Sequence, residues 1–442
     1  MSEANTFGVR AVGRSLATQA VLALALPVNL AVTLVAGART AARSETRHTA
    51  EHPRTVLLTG GKMTKALHLA RAFHRAGHRV VLAESGRYRF TGHRFSRAVD
   101  TFHVVPAPQD PSYVPALVDL AEREEADVFV PLSSPVSSAY DSRVREALAG
   151  RCDSVHVDPA TLAVVDDKGA FAAAAGELGL PVPDTHLITD ADQVLDFDFS
   201  RSHRPYVLKS IAYDPVHRLD LTPLPRPSHA QTRAFVSALP ISADNPWILQ
   251  ELITGREYCT HGTVRDGELT AYCCCESSAF QVNYAAVDKP EIERWVRTFT
   301  RSLGATGQMS FDFIESADGT PYAIECNPRT HSAITLFDDP VALSRAYLDD
   351  DAPTLTPAVG SRATYWLYHE LWRLARAPWQ VRERWRVLRT GRDAILDVRD
   401  PLPFLLVHHL QIPSLLLGNL VRGRDWLRID FNIGKLVEPA GD

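Results

Sequence analysis

Five residues of this chain, Lys168, Lys209, Asp312, Glu325 and Asn327, have the types and the order to do chemistry together. Asp312 lies in Ser310-Phe-Asp-Phe-Ile314, where strand alternation turns it to the face opposite Phe311 and Phe313. Glu325 and Asn327, two apart in Ala323-Ile-Glu-Cys-Asn-Pro-Arg329, share one face of their strand. Three hard oxygen donors on neighbouring strands suit Mg2+, which takes carboxylates together with nucleotide phosphate oxygens. Lys168 opens a helix after Asp166-Asp167, and Lys209 stands on the apolar strand Tyr206-Val-Leu-Lys-Ser210. Lysines on two separate elements can grip phosphates as point charges. Taken one at a time, a buried carboxylate is an ordinary satisfied group and a strand lysine an ordinary solvated one. The order and spacing of the whole set are what distinguish it.

These residues need a scaffold of strands, and the hydrophobic pattern supplies one. Thr55–Thr59 reads as a short buried strand, followed by Gly60-Gly61-Lys62, an amphipathic helix over Thr64–Ala76, and a second strand over Arg79–Ala83. This is a βαβ unit with a right-handed parallel pair. A helix over Tyr113–Glu124 leads to a strand over Asp127–Pro131. Gly60-Gly61-Lys62 lacks the GxxxxGK[ST] spacing of a P-loop and reads as a tight strand-to-helix turn. From Asp166 the texture changes. A helix over Lys168–Leu178 precedes strands at Tyr206–Ser210, Trp247–Leu252, Glu257–Val264 and Glu268–Cys275. A helix over Glu291–Leu303 then leads to paired strands at Gly307–Glu315 and Pro321–Cys326.

Composition bounds what surrounds this body. The chain has 442 residues, 45% hydrophobic and 22% charged, the balance of a globular protein of two or three domains, not of a disordered or collagen-like one. Its net charge of −5 is uneven: +3 over residues 1–54, +4 over 361–400 and −12 over 55–360. An acidic centre argues against a nucleic-acid binder. None of the six cysteines forms a CxxC pair, and Cys273, Cys274 and Cys275 alternate between strand faces, so they read as reduced thiols in a sheet and not as a metal cluster. Ser15–Ala38 is 24 residues long without a formal charge, enough to cross a bilayer. It reads as a secretory leader, a membrane anchor or a helix packed on the body; the four arginines after it (Arg39, Arg43, Arg47, Arg54) favour a cytoplasmic body and membrane attachment. A second uncharged stretch, Pro401–Val421, follows a region rich in Trp and Arg. It reads as membrane-interface material or as a helical subdomain whose aromatics pack inward.

The ordered set Lys168, Lys209, Gln250-Glu251-Leu252-Ile253, Glu257, Asp312 and Glu325-x-Asn327 resembles the ATP-grasp superfamily of ligases over residues 55–350. The resemblance implies ATP and Mg2+ (with Mn2+ as its substitute), Lys168 and Lys209 on the phosphates, and Gln250, Glu251 and Ile253 as the adenine hinge. It also implies Glu257 on the ribose, Asp312, Glu325 and Asn327 as metal ligands, and Arg329 with Lys209 at the reacting phosphoryl group. The glycine-rich loop of many members is replaced here by Ser210-Ile-Ala-Tyr-Asp-Pro-Val-His-Arg218, which has no glycine. Longer motifs resemble the mycosporine-glycine synthetases: Gly60-Gly-Lys-Met-Thr-Lys-Ala-Leu67, Thr91-Gly-His-Arg-Phe-Ser96, Glu325-Cys-Asn-Pro-Arg-Thr-His-Ser-Ala-Ile-Thr335, Tyr365-Trp-Leu-Tyr-His-Glu370 and Ile429-Asp-Phe-Asn-Ile-Gly-Lys435.

That closer resemblance implies condensation of glycine with the cyclohexenone 4-deoxygadusol through a phosphorylated enol, with His331 and Ser332 as candidate acceptor contacts. The alternatives are a carboxylate–amine ligase working through an acyl phosphate and a non-catalytic nucleotide-binding protein at a membrane. The expected fold is mixed α/β and α+β, an ATP-grasp fold with an N-terminal open α/β domain, an apolar N-terminal helix and a C-terminal helical region. The expected divisions are 1–54, 55–160, 161–350 and 351–442. The expected partners are small molecules, no nucleic acid, and a membrane contacted through 15–38 and 401–421.

Overall fold

In the computed structural model, which describes residues 9–41, 48–132, 134–212, 214, 216–217, 220–277, 283–358 and 360–438, the chain opens on one long helix, α1 (Val9–Ala41). A βα alternation follows: β1 (Thr55–Leu58), α2 (Thr64–Arg75), β2 (Arg79–Ser85), β3 (Thr101–Val105), α3 (Tyr113–Arg123), β4 (Val128–Val130), α4 (Ser138–Ala147) and β5 (Asp153–Ser154). The strands form a parallel sheet in the order β3-β2-β1-β4-β5. Helices cover both faces, so the strands are apolar on both. Val56 and Leu58 join one hydrophobic core beside α2, while Leu57 joins another beside α3 and α4. The turn after β1 needs glycine: Gly60 has φ +67°, and a β-carbon there would lie 2.6 Å from the Leu132 carbonyl oxygen.

The chain then forms α5 (Pro159–Val165), α6 (Lys168–Glu177), β6 (Thr185–Ile188), α7 (Ala191–Leu195), β7 (Tyr206–Ser210), α8 (His229–Val236) and β8 (Trp247–Glu251). Strands β6, β8 and β7 make a small antiparallel sheet with its own core around Tyr206, Val236 and Trp247. Next come β9 (Arg256–Arg265), β10 (Glu268–Glu276), β11 (Asn283–Tyr284), α9 (Pro290–Leu303), β12 (Gly307–Glu315), β13 (Pro321–Asn327) and α10 (Pro340–Leu348). The four long strands form an antiparallel sheet in the order β10-β9-β12-β13. Phe311 and Phe313 pack from one face onto Phe171, Trp295 and Phe299. Cys274 joins that core, whereas Cys273 and Cys275 point into the core shared with α2 and α10, the alternation expected of three consecutive strand residues. All six cysteines are free and buried.

The last stretch holds β14 (Thr364–Tyr365), α11 (Leu367–Arg376), α12 (Val381–Thr390), β15 (Arg392–Asp393), α13 (Leu402–Leu406), a π-turn over Val407–Gln411, α14 (Ile412–Arg422), β16 (Arg428–Asp430) and β17 (Lys435–Val437). The second apolar stretch lies in α13, the π-turn and α14, which pack against α1. Phe404, Val407, Ile412 and Leu416 enter the core, while Leu417 and Val421 stay exposed. The expectation that the C-terminal aromatics pack inward holds for Trp366 and Trp426 but not for Trp372, Trp379 and Trp385, which stay exposed. By length and composition, α1 and the helical stretch Leu402–Arg422 could each cross a membrane.

Two polar junctions tie these parts together. Buried Gln308 on β12 donates to the carbonyls of Pro131 (3.0 Å) and Val155 (3.2 Å) in the parallel-sheet region, and accepts from Tyr347 Oη (2.8 Å) and Thr330 Oγ1. Asp400, before α13, receives Arg71 Nε of α2 (2.8 Å), Ser96 Oγ (2.6 Å) and the Arg97 amide (3.0 Å). Asp400→Ala leaves the buried Arg71 guanidinium without its counter-charge, so we expect a loss of about 3–5 kcal/mol in urea unfolding, against under ~1 kcal/mol for the exposed pair partner Asp119→Ala.

Candidate active site

Strands β12 and β13 bring the predicted acidic cluster together. Asp312 pairs in register with Glu325, and the ladder shifts immediately after Asp312. Asn327 Nδ2 donates to Asp312 Oδ2 (3.1 Å) and to Glu325 Oε1 (3.4 Å). Arg329 folds back to bond the Asn327 carboxamide oxygen, and its backbone amide bonds the Asn327 carbonyl at 2.7 Å. Lys168, the first residue of α6, places Nζ 3.6 Å from Glu325 Oε2; Asp167 caps that helix through the amides of Gly169 and Ala170. Burial and the neighbouring Glu325 charge push Asp312 well above the usual carboxylate range. For Glu325, burial pushes upward, but Lys168, the hydrogen bond with Asp312, Lys209 and Arg329 together hold it below its ordinary value. Asp166 is raised by burial, against the pull of Arg329 and Lys168.

The second lysine arrives from the other sheet. Lys209 on β7 donates to Gln250 Oε1 on β8 at 2.8 Å, and Gln250 Nε2 donates to Thr185 Oγ1 at 3.1 Å. Burial lowers the Lys209 pKa, the Glu325 charge opposing and Lys168 adding to it. Glu251, next along β8, turns to the opposite face, where Ser202 donates to it and Arg204 lies at 3.6 Å. Ile253 is buried, and Glu257 stands exposed at the start of β9. Gly255 between them crosses so close to β12 that a β-carbon would fall 1.9 Å from the Glu315 carbonyl oxygen. Thus Lys168, Asp312, Glu325, Asn327 and Arg329 form one cluster within electrostatic reach of Lys209, whereas the Glu251 and Glu257 side chains lie outside it. Of the glycine-free loop after β7, Tyr213, Pro215 and Arg218 lie outside the described residues; His217 pairs with Asp214 at 2.6 Å.

His331 and Ser332 sit past the end of β13. The His331 ring accepts from the Ala333 amide (3.2 Å) and meets Tyr284 edge-on at 5.2 Å, and the His331 amide donates to His261 Nδ1 (3.3 Å). Between this pair and Arg329 lies a residue the sequence reading did not single out. Lys65, on the first turn of α2, is 5% exposed and donates from Nζ to the Thr330 carbonyl at 2.6 Å. Burial, then Arg329 and Lys62, lower its pKa from 10.5 to about 7. His261 is pushed down to about 3 by burial, His331 and Lys65.

The donor set at the cluster, two carboxylates and one carboxamide, fits a divalent hard cation that completes its shell with phosphate oxygens. Among the described residues, no group of three or more His, Cys, Asp or Glu forms a separate metal cluster.

No family model and no curated protein sequence matches the chain. Solved structures do. An N5-carboxyaminoimidazole synthetase from Staphylococcus aureus complexed with ADP superposes with TM-score 0.52 at 13% identity, over 70% of this chain and 80% of that one. A biotin carboxylase–β,γ-ATP complex from Campylobacter jejuni gives 0.51 at 16%, over 68% and 71%. An L-amino acid ligase from Bacillus licheniformis gives 0.51 at 14%, over 69% and 78%. The chain has an ATP-grasp fold. In this ATP-grasp fold, the two antiparallel sheets carry the two halves of the cationic and acidic set described above.

Proposed function

We propose that the chain is an ATP-dependent ligase that joins glycine to 4-deoxygadusol, giving mycosporine-glycine. The supporting observation is the convergence of Lys168, Asp312, Glu325, Asn327 and Arg329 from one side, with Lys209 and Gln250 from the other. The long motifs around Gly60–Leu67 and Glu325–Thr335 point to the substrate pair. We divide the chain as 1–54, 55–160, 161–350 and 351–442, and place it in the cytoplasm, where ATP is available, attached to a membrane.

In this reading ATP binds between the small and large sheets, with Gln250, Glu251 and Ile253 bordering the base and Glu257 placed to meet the ribose. Asp312, Glu325 and Asn327 would hold Mg2+, which when bound offsets negative charge on the β- and γ-phosphates. Lys168 and Lys209 bind the phosphates; Arg329, released from Asn327, faces the transferring group. An enolic oxygen of the cyclohexenone loses its proton and forms a bond to the γ-phosphorus as the bond to ADP breaks. The glycine nitrogen then adds to that ring carbon, the carbon–oxygen bond breaks with departure of phosphate, and loss of a nitrogen proton leaves the enaminone. Positioning and charge neutralisation carry such a transfer. Lys65, poised near pH 7 between Arg329 and the His261–His331 pair, is placed to take a proton on the acceptor side. His331 and Ser332 line that side.

Incubating the purified protein with ATP, Mg2+, 4-deoxygadusol and a panel of amino acids tests the reading. ADP release that needs both the cyclohexenone and glycine, with a product of the condensed mass, is the expected result. Turnover on a carboxylate with an acyl phosphate trapped by hydroxylamine would replace it with the carboxylate–amine reading. Nucleotide binding without turnover on any pair would favour the non-catalytic one.

A further inference from the structure

Helix α1 has two sharply different faces. Ser15, Leu22, Asn29, Thr33 and Ala36 recur at steps of three, four or seven and are 1–5% exposed, whereas Val21, Leu24, Val28 and Leu34 are 60–80% exposed. The inner face is held by polar bonds along its length. Trp426 Nε1 donates to Ser15 Oγ at 2.8 Å, Asn29 Nδ2 donates to Tyr368 Oη at 2.6 Å, and Thr40 Oγ1 donates to the Val398 carbonyl at 2.7 Å. At one end Arg14 pairs with Asp425 and stacks on Trp426. From Ser15 to Thr40 the helix runs for about 38 Å, more than the ~30 Å hydrocarbon thickness of a bilayer. Were α1 to cross a membrane, Asp425, Tyr368 and the loop at Val398 would be carried through the hydrocarbon with it, or every one of these bonds would break.

A second exposed surface lies on α11 and α12. Trp372 stands one turn beyond Tyr368 on α11, and Tyr368 is the residue that meets Asn29 of α1. Trp372, Trp379 and Trp385 are 61–78% exposed. Trp379 is on the turn between α11 and α12, and Arg376 of α11 with Arg382, Arg386 and Arg389 of α12 are exposed, none with an acidic partner among the described residues. Exposed tryptophans and arginines without acidic partners, on a body that also exposes an apolar helix face, match the interfacial region of an anionic bilayer. A second copy of the chain fits less well, because a two-fold contact through this face would set the arginines against their own copies.

We infer that α1 does not span the membrane but lies parallel to it, its outer face and the tryptophans of α11 and α12 entered into one leaflet of an anionic phospholipid bilayer. The inference rests on the membrane attachment proposed above and specifies its mode; it is independent of the ligase chemistry.

The test is co-sedimentation of the full chain with vesicles of phosphatidylcholine alone or mixed with phosphatidylglycerol. Binding should favour the mixed vesicles, blue-shift tryptophan emission and be released by alkaline carbonate. Trp372→Ala and Trp385→Ala should each weaken it by about tenfold, and the exposure of both residues leaves the fold, read by circular dichroism, unchanged. Binding that resists carbonate and survives both substitutions overturns the parallel arrangement while leaving attachment standing. No binding to either vesicle overturns attachment as well. If in addition the lipid-free chain is a dimer broken by Leu24→Ser, a second copy is the occupant.

Discussion

Glu325→Gln and Asp312→Asn will each lower ATP-dependent turnover by about 10²–10³-fold with little loss of nucleotide affinity. Both substitutions keep the shape of the side chain and remove one negative charge from a pair that burial already strains. Lys209 and Gln250, which lie on the other sheet, are untouched, so fluorescence titration with ATP should move only slightly. Asp312→Asn should hold or raise stability, because burial and the Glu325 charge already disfavour its carboxylate, whereas Glu325→Gln should lower it, because Lys168, Asp312 and Lys209 favour the Glu325 charge in the fold. Glu325→Gln also leaves Lys168 without the carboxylate 3.6 Å away, so its loss of turnover should be the larger of the two. Full ADP release from both variants would sink the assignment of these residues to the cation.

Lys65→Met should combine lower activity with higher stability. In the folded chain its pKa is about 7 against an ordinary 10.5. Between those values the unfolded chain holds a proton that the folded chain lacks, so stability rises with pH across that window. Below about pH 7 the folded chain carries the whole penalty of a buried cation. Methionine removes it, and thermal or urea unfolding at pH 6 should show a gain on the order of 2–4 kcal/mol that fades as pH approaches 10. We expect kcat/KM to fall about 10²-fold and the ascending limb of its pH profile, centred near 7, to disappear. A residue that only packs α2 against Thr330 would leave that limb in place.

The elements that carry the cluster were legible because their local patterns are strong. Phe311 and Phe313 around Asp312 can only be a strand buried on one face, and Asp167 before Lys168 caps a helix start. The bounds of β7 and β12 fall where alternation puts them. Lys65 was not legible for an equally physical reason. In Met63-Thr-Lys-Ala-Leu67 it looks like the solvated residue of an amphipathic turn, and its burial depends on Thr330, 265 positions away. The polar residues of α1 were hidden in the same way. Ser15 and Asn29 sit at helical spacing in the sequence, but their partners Trp426 and Tyr368 come from the far end of the chain. The C-terminal tryptophans divided between core and surface because the Trp366 and Trp426 indole N–H groups found buried acceptors, the hydroxyls of Thr64 and Ser15.

The amide of Gln308 has a mechanical consequence. Its four bonds join the parallel sheet, β12, the start of the His331 segment and α10 in one saturated knot, so these parts cannot slide past one another without stranding a buried polar group. The small sheet of β6, β8 and β7 is outside that knot and has a core of its own. One side of the site is therefore braced by this single amide, and the other rests on a separate core. The acidic cluster on β12 and β13 thus stands on the braced side, whereas Lys209 and Gln250 stand on a sheet that this side chain does not brace.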